Sequence, residues 1–125
     1  MNYYVDVILP LPLKGTFTYE LSQDEFNKLE IGFRVAVSFG KRKIYTGIVN
    51  ELHNNKPESY ETKPIEFIYD DKSLVSQNQI DFWNWLSRYY FVPIGDVLKA
   101  AVPSTFLLES DSLIIKKEIS LSLIH

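Results

Sequence analysis

The 125-residue chain contains no cysteine. This absence excludes disulfide bonds, zinc–thiolate sites, iron–sulfur clusters and cysteine nucleophiles within the chain, and it fits a reducing compartment. No apolar run approaches the ~20 residues needed to cross a bilayer. The start of the chain also lacks the basic and apolar regions of a signal peptide. These absences predict a cytoplasmic protein without a membrane partner.

The chain also has no excess of positive charge, since its formal net charge is −3. A protein that coats duplex DNA through many phosphate contacts usually carries net positive charge, so any nucleic-acid site here has to be local. Hydrophobic residues at 46% and charged residues at 23% are typical of a folded globular chain. A length of 125 residues fits a single domain.

Groups that could be arranged for catalysis are few. The chain has two histidines, His53 in a polar loop and His125 at the last position, and neither has an obvious carboxylate or nucleophile partner in the sequence. Gly40-Lys41 lacks the upstream glycine and the following Ser or Thr of a phosphate loop. The pair Asp70-Asp71 is more typical of a polar turn than of a metal site. The chain is therefore expected to be a binding module rather than an enzyme, without a cofactor or a metal.

What the chain does contain is a series of strands with alternating polarity. The pattern predicts strands over Tyr3–Leu9, Gly15–Leu21, Phe33–Phe39, Ile44–Leu52 and Ile65–Tyr69. In the third of these, Phe33, Val35, Val37 and Phe39 share one face. Gly47, inside a strand, predicts a bulge or a close backbone contact. The polar segment Ser22–Glu30 is expected to form one helical turn.

The periodicity then changes to that of a helix. Ser76 and Gln79 form a capping-box pattern that predicts a helix running towards Tyr90, and a short helix over Ile94–Ala101 follows Pro93. The helical spacing of the aromatic residues predicts that they pack in a core rather than form a base-stacking platform; these residues are Phe82, Trp83, Trp85, Tyr89, Tyr90 and Phe91. The predicted fold class is mainly β with C-terminal helices (α+β).

One turn concentrates positive charge. Gly40 is followed directly by Lys41, Arg42 and Lys43, between two of the predicted strands. A glycine allows a ligand to approach the backbone, and three adjacent cations attract a phosphate at that point. The alternative is an ordinary hairpin whose turn is kept soluble by charge.

Five blocks in this order resemble the amino-terminal region of the PriA family of bacterial replication-restart helicases, also called primosomal protein N′. The blocks are Val5–Leu13, Thr16–Tyr19, Gly32–Lys41, Gly47–Val49 and Trp85–Pro103, so the resemblance covers roughly Tyr4 to Pro103. It implies a small OB-like β-barrel with a helical cap at residues 1–104, and a linker with the start of a truncated winged-helix domain at residues 105–125.

The resemblance also implies a function and partners. The domain would be a non-catalytic module that binds the 3′ end of the nascent leading strand at stalled replication forks. The full-length protein would be an ATP-dependent 3′-5′ DNA helicase that starts primosome assembly, with ATP-binding and zinc motifs, none of which lies in this chain. Its partners would be fork DNA, the remaining helicase domains and primosome proteins.

The resemblance further implies a pocket for the terminal nucleotide, formed by Phe17, Thr18, Gly40 and Lys63. Thr18 stands where an acidic residue is usual in the family. Lys41, Arg42 and Lys43 would extend the path to upstream phosphates.

Three of the four pocket assignments have a structural alternative. Phe17 could be a core residue, Gly40 a requirement of the turn and Lys63 a solvated loop cation. The alternative function is a protein-interaction β-barrel that binds an acidic peptide or a partner domain.

Overall fold

A computed structural model of the protein describes residues 2–40, 43–103, 106–107 and 109–110. The elements in chain order are β1 (Tyr3–Ile8), β2 (Phe17–Leu21), α1 (Gln23–Lys28), β3 (Arg34–Ser38), β4 (Ile44–His53), β5 (Phe67–Ile68), α2 (Gln77–Tyr90), α3 (Ile94–Ala101) and β6 (Glu109–Ser110). Each predicted strand and both predicted helices are present, and the fold class is confirmed. No helix in these ranges combines the length and apolar character needed to span a bilayer.

The strands form an antiparallel sheet in the order β2-β1-β4-β3-β5, and β6 pairs with the start of β4. Residues 63–68, here called the closing segment, connect the two edges of this sheet. The Glu20 amide donates to the Lys63 carbonyl at 2.9 Å, and Pro64 bridges to the same residue of β2. Ile68 pairs with Val35 of β3 at the other edge. The curled sheet with helices after it has the predicted OB-like architecture.

The two faces of the sheet bury different cores. The inner core is formed by alternate strand residues together with Leu29 and Ile65; its members are Val5, Val7, Leu9, Tyr19, Leu21, Leu29, Phe33, Val35, Val37, Val49 and Ile65. The outer core lies between the sheet and the helices, and its members are Ile8, Ile48, Val75, Ile80, Trp83, Ile94, Val97, Leu98 and Val102. The shared face predicted for β3 is therefore confirmed, since Phe33, Val35 and Val37 belong to the inner core and Phe39 packs against it.

Two glycines mark places where backbone elements approach each other closely. A Cβ on Gly47 of β4 would fall on the Val7 side chain of β1, which confirms the predicted close contact. A Cβ on Gly95 of α3 would fall on the carbonyl oxygens of Leu9 and Leu11. Residues 9–14, here called the proline loop, are thereby held against the start of α3.

Helix α2 begins as predicted but is not buried as predicted. Ser76 accepts from the Gln79 amide at 3.2 Å, and the Gln79 side chain accepts from the Ser76 amide at 2.9 Å. Only Ile80 and Trp83 of this helix are buried. The prediction that the other aromatic residues are core is wrong, because α2 packs on one side only, against the sheet and α3. The exposed aromatic residues are Phe82, Trp85, Tyr89, Tyr90 and Phe91.

Candidate nucleic-acid interface

A pocket of about 250 Å³ lies where β2 begins and β3 ends. It is lined by Phe17, Thr18, Tyr19, Ser38, Phe39, Gly40, Tyr60, Glu61 and Lys63. Four of the residues predicted for the terminal-nucleotide pocket are in this set, and they come from three separate parts of the chain. The closing segment brings Lys63 to the edge of β2, which is why residues distant in sequence meet here.

Aromatic rings form one wall of this pocket. Phe17 and Phe39 meet edge to face with 4.8 Å between ring centroids, and Tyr45 lies beyond Phe39 at 6.5 Å. Phe17 is half-buried and also packs against the inner core. Both interpretations of Phe17 therefore apply, since the ring supports the barrel and presents surface to the pocket.

Gly40 supplies open space at the other side of the pocket. Its φ is +72°, a value that favours glycine, and a Cβ built on it meets nothing within 4 Å. The turn therefore does favour a glycine at position 40, as the structural alternative predicted. The space beside Gly40 is also unfilled. Lys43 closes the turn through its carbonyl, which accepts from the Phe39 amide at 3.0 Å. Lys41 and Arg42 lie outside the described residues, and their role stays a prediction.

Lys43 lines a second groove beside the pocket. This groove is formed by Leu11, Pro12, Leu13, Phe39, Gly40, Lys43 and Tyr45. Because Phe39 and Gly40 line both spaces, the groove continues from the pocket towards the proline loop. Of the sequence-predicted site residues within the described ranges, Lys43 alone is therefore next to the pocket rather than in its wall.

Thr18 lines the pocket, but its hydroxyl is hydrogen-bonded to a neighbouring strand rather than free to bind a nucleotide. Its backbone amide donates to the Tyr60 hydroxyl at 2.8 Å, while its own hydroxyl donates to the Asp6 carboxylate at 2.6 Å. The hydroxyl is thus engaged by β1, the neighbouring strand. Glu61, from the loop before the closing segment, is the acidic residue among the pocket residues; its side chain is 93% exposed and its carboxylate lies 4.0 Å from Lys56 Nζ.

Sequence reasoning missed Tyr60 and Glu61. Both lie in a polar loop without periodicity, so no pattern indicated where the loop folds back. The one available signal was an aromatic residue, Tyr60, within an otherwise polar stretch.

A hydrogen bond fixes one polar group of the pocket, the Tyr19 hydroxyl. Tyr19 donates to the Ser38 carbonyl at 2.7 Å, and burial raises the pKa of Tyr19, with the Tyr60 phenol adding to the effect. Tyr19 therefore stays protonated as a fixed donor. No histidine lines the pocket. Across the described ranges, no group of three acidic or histidine side chains could hold a metal ion.

His53 does have a carboxylate partner, contrary to the interpretation of the sequence. Its Nε2 lies 2.8 Å from the Asp6 carboxylate, and its Nδ1 accepts from the Asn55 amide at 3.0 Å. The sequence did not show this pairing because the partners are brought together by the register of β1 and β4, in which Tyr4 pairs with His53. Since the Thr18 hydroxyl donates to Asp6 as well, Asp6 ties three strands together.

The exposed side of α2 carries a stack of rings. Phe82 and Trp85 are stacked with centroids 6.0 Å apart, and Trp85 and Tyr89 with centroids 4.9 Å apart. Tyr90 meets Tyr89 edge to face. These four residues are called the α2 aromatic face below. Exposed apolar surface of this kind is a common feature of interaction sites.

A curled OB-like sheet whose edge carries an aromatic pocket, an open glycine and a lysine is the architecture of an oligonucleotide-binding domain. The comparison with known families is specific: the 3′ DNA-binding domain (3′BD) of PriA matches residues 6–103. The chain belongs to this family. It is a DNA-binding module of the kind found in replication restart proteins.

Several relatives of this chain are replication restart proteins named PriA. The Replication restart protein PriA of Buchnera aphidicola (subspecies Acyrthosiphon pisum) is 30% identical over 115 residues, which are 92% of this chain and 15% of the relative. The proteins of the same name from Haemophilus influenzae and Treponema pallidum are 31% and 25% identical over 79% and 83% of this chain. These alignments cover 13% and 16% of those relatives, so the chain spans about one seventh of their length.

Proposed function

We propose that this domain binds the 3′ end of a DNA strand, with the terminal nucleotide in the pocket. The observation that carries the proposal is the convergence of Phe17, Gly40 and Lys63, from three separate segments, on one pocket. A ring face of Phe17 offers stacking to any base, worth about 1–3 kcal/mol and largely independent of sequence. Gly40 leaves room for the sugar, and Lys63 can bind a phosphate.

A terminus fits better than a continuing strand for two reasons. The volume of about 250 Å³ is small, below the roughly 300–1,000 Å³ of sites for drug-sized ligands. Glu61 lines the pocket with an exposed side chain whose carboxylate lies 4.0 Å from Lys56 Nζ, and in this proposal that carboxylate turns to accept from a free 3′-hydroxyl and repels a 3′-phosphate. In this proposal Glu61 takes over the role that the resemblance gave to the acidic residue at position 18.

The test is competition binding with dinucleotides that end in a 3′-hydroxyl or a 3′-phosphate. The wild-type chain should prefer the hydroxyl end, and Glu61→Gln should reduce this preference. Gly40→Val should abolish it, because the added side chain occupies the pocket, while weak salt-dependent binding remains.

Gly15→Val is the matched control for Gly40→Val. Gly15 has a φ of +78° and, like Gly40, has no atom within 4 Å of an added Cβ; it lines a different groove, with Lys14, which the dinucleotide test does not probe. The backbone strain is therefore shared, and only the loss of pocket space differs. Equal affinity of the wild-type chain for the two ends would overturn the proposal.

Within a full-length protein, the proposed ligand is the 3′ end of the nascent leading strand at a stalled fork. The name of the relatives, replication restart protein, supports this setting. We propose that the module is non-catalytic and works in the cytoplasm without a cofactor of its own. ATP-dependent 3′-5′ unwinding, zinc binding and contacts with primosome proteins would belong to the remaining domains.

A second candidate is a protein-interaction barrel, and the α2 aromatic face is the observation that favours it. Phe82, Trp85 and Tyr89 are each about half exposed, at 55%, 47% and 59%. In this function the turn of Lys41, Arg42 and Lys43 would bind an acidic peptide, and the α2 aromatic face would bind a partner domain. Equal binding of hydroxyl and phosphate ends would favour this function over end recognition.

A further inference from the structure

Phe91, the residue after α2, is held in an unusual and exposed position. Its side chain is 94% exposed, and its φ of 57° makes it the one non-glycine residue with positive φ in the described ranges. The conformation is fixed from the helix side, because the Phe91 and Val92 amides both donate to the Ser87 carbonyl. The Ser87 hydroxyl also donates to the Val92 carbonyl at 2.6 Å.

The fold gains nothing from this ring. A side chain exposed to this degree buries almost no apolar surface, and a bulky residue with positive φ is sterically disfavoured. Strain of this kind in a native structure is a reason to look for a function.

Two cations line the same groove as the ring. Lys14, Arg88 and Phe91 line a groove of about 570 Å³ together with Gly15, Ser87, Val92 and Pro93. Lys14 and Arg88 are both exposed, and within the described residues neither side chain forms an ion pair or a hydrogen bond. No acidic residue lines the groove; Asp96, in the first turn of α3, is the acidic residue nearest in sequence to Pro93.

The proline loop runs from the groove of Lys43 to the groove of Phe91. The pocket and the groove of Lys43 share Phe39 and Gly40, and Leu13 also lines the groove of Lys43. Lys14, the next residue in the chain, lines the groove of Phe91. The close approach of Gly95 to the carbonyls of Leu9 and Leu11 fixes the proline loop beside the turn between α2 and α3.

We propose that the DNA strand whose 3′ end occupies the pocket runs back over the proline loop to this groove. There Phe91 stacks on an upstream base, and Lys14 and Arg88 bind phosphates. An exposed ring beside two cations is the combination that single-stranded nucleic acid requires, since bases have π-faces and the backbone is anionic. The inference rests on the proposed function, because the pocket gives the strand its direction.

The experiment measures binding of the full 125-residue chain to two ligands with free 3′-hydroxyls. One is a dinucleotide, and the other is a strand of about ten nucleotides, within the site sizes of OB folds. Phe91→Gly should weaken binding of the longer strand about fivefold or more through lost stacking. It should leave dinucleotide binding unchanged and should not lower the melting temperature, because glycine accepts the φ of 57° without strain.

The charge variant tests the phosphate contacts. Lys14→Ser with Arg88→Ser should reduce the slope of log affinity against log salt for the longer strand by about 1.4, at about 0.7 for each contact. Phe82→Ala and Lys28→Ser, an exposed ring and an exposed cation outside the groove, are the matched controls and should bind like the wild type.

The outcomes separate the two proposals. If both groove variants bind the longer strand with the affinity and the salt slope of the wild type, the proposed upstream contact is wrong. This conclusion holds whether or not the pocket recognises a 3′ end. Loss of the preference for a 3′-hydroxyl in the wild-type chain would overturn end recognition instead. A selective loss of long-strand binding in the groove variants would still support the groove as a DNA contact in that case.

Discussion

Asp6 of β1 contacts side chains from both neighbouring strands, and this position explains what the threonine at position 18 does. The carboxylate accepts from the Thr18 hydroxyl at 2.6 Å and lies 2.8 Å from His53 Nε2. Asp6 and Thr18 are direct cross-strand partners in β1 and β2. A threonine at position 18 therefore stabilises a strand pair, which an acidic residue would not do beside another carboxylate.

Thr18→Asp should accordingly lower the free energy of unfolding by about 0.2–1 kcal/mol at neutral pH, because like charges directly opposite each other are destabilising. Adding Asp6→Asn to this variant should recover most of the loss. The measurement is urea unfolding of the single and double variants. A Thr18→Asp variant as stable as the wild type would contradict the importance of this contact.

At the scale of elements, helix α2 divides its aromatic residues between two environments. Trp83 is 5% exposed and belongs to the outer core, whereas Trp85 is 47% exposed and stacks on Phe82 and Tyr89. The two tryptophans are two residues apart, which places them on different sides of the helix. The same residue type thus serves the core at one position and the surface at the other.

Trp83→Ala should destabilise the domain by about 3–5 kcal/mol, because the variant loses transfer energy and leaves a cavity. Trp85→Ala is the matched control and should cost less than about 1.5 kcal/mol, the upper range for a stacked aromatic pair. Chemical unfolding followed by far-UV circular dichroism measures both. Similar losses for the two variants would contradict the division of α2 into buried and exposed sides.

The elements themselves were largely predictable from local patterns. Alternation located the strands, and the capping box of Ser76 and Gln79 located the start of α2. Burial was not predictable for Trp85 or Tyr89, since periodicity shows which residues share a face but not whether that face has a partner. The same limit applies to the site: Phe17 and Gly40 were identified, whereas Tyr60 depends on how an aperiodic loop folds back.

At the scale of the whole molecule, charge is distributed unevenly. The net charge is −3, yet Lys63 lines the pocket, Lys43 lines the groove beside it, and Lys14 and Arg88 line the groove of Phe91. A local positive path on a negative protein attracts a nucleic-acid strand to one surface and discourages binding elsewhere. The overall composition indicated that any DNA site had to be local, and the described cations agree with that inference.

The closing segment makes occupation of the pocket depend on the integrity of the barrel. Lys63 belongs to this segment, while Phe17 and Gly40 belong to parts of the sheet that it joins. A local opening that breaks the bond from the Glu20 amide to the Lys63 carbonyl also takes the pocket apart. A ligand that requires the assembled pocket therefore shifts this opening equilibrium by mass action.

Hydrogen exchange measures this linkage. With a 3′-hydroxyl strand at about 100 times its dissociation constant, exchange of the Glu20 amide through local opening should slow about a hundredfold. The Phe26 amide, bonded within α1 to the Ser22 carbonyl at 3.0 Å, should change much less. Equal protection of the two amides, with and without DNA, would contradict the linkage. A bound strand end would thus hold the barrel closed, and if release occurs through this opening, the rate at which the barrel opens would set an upper limit on the rate at which the strand end leaves.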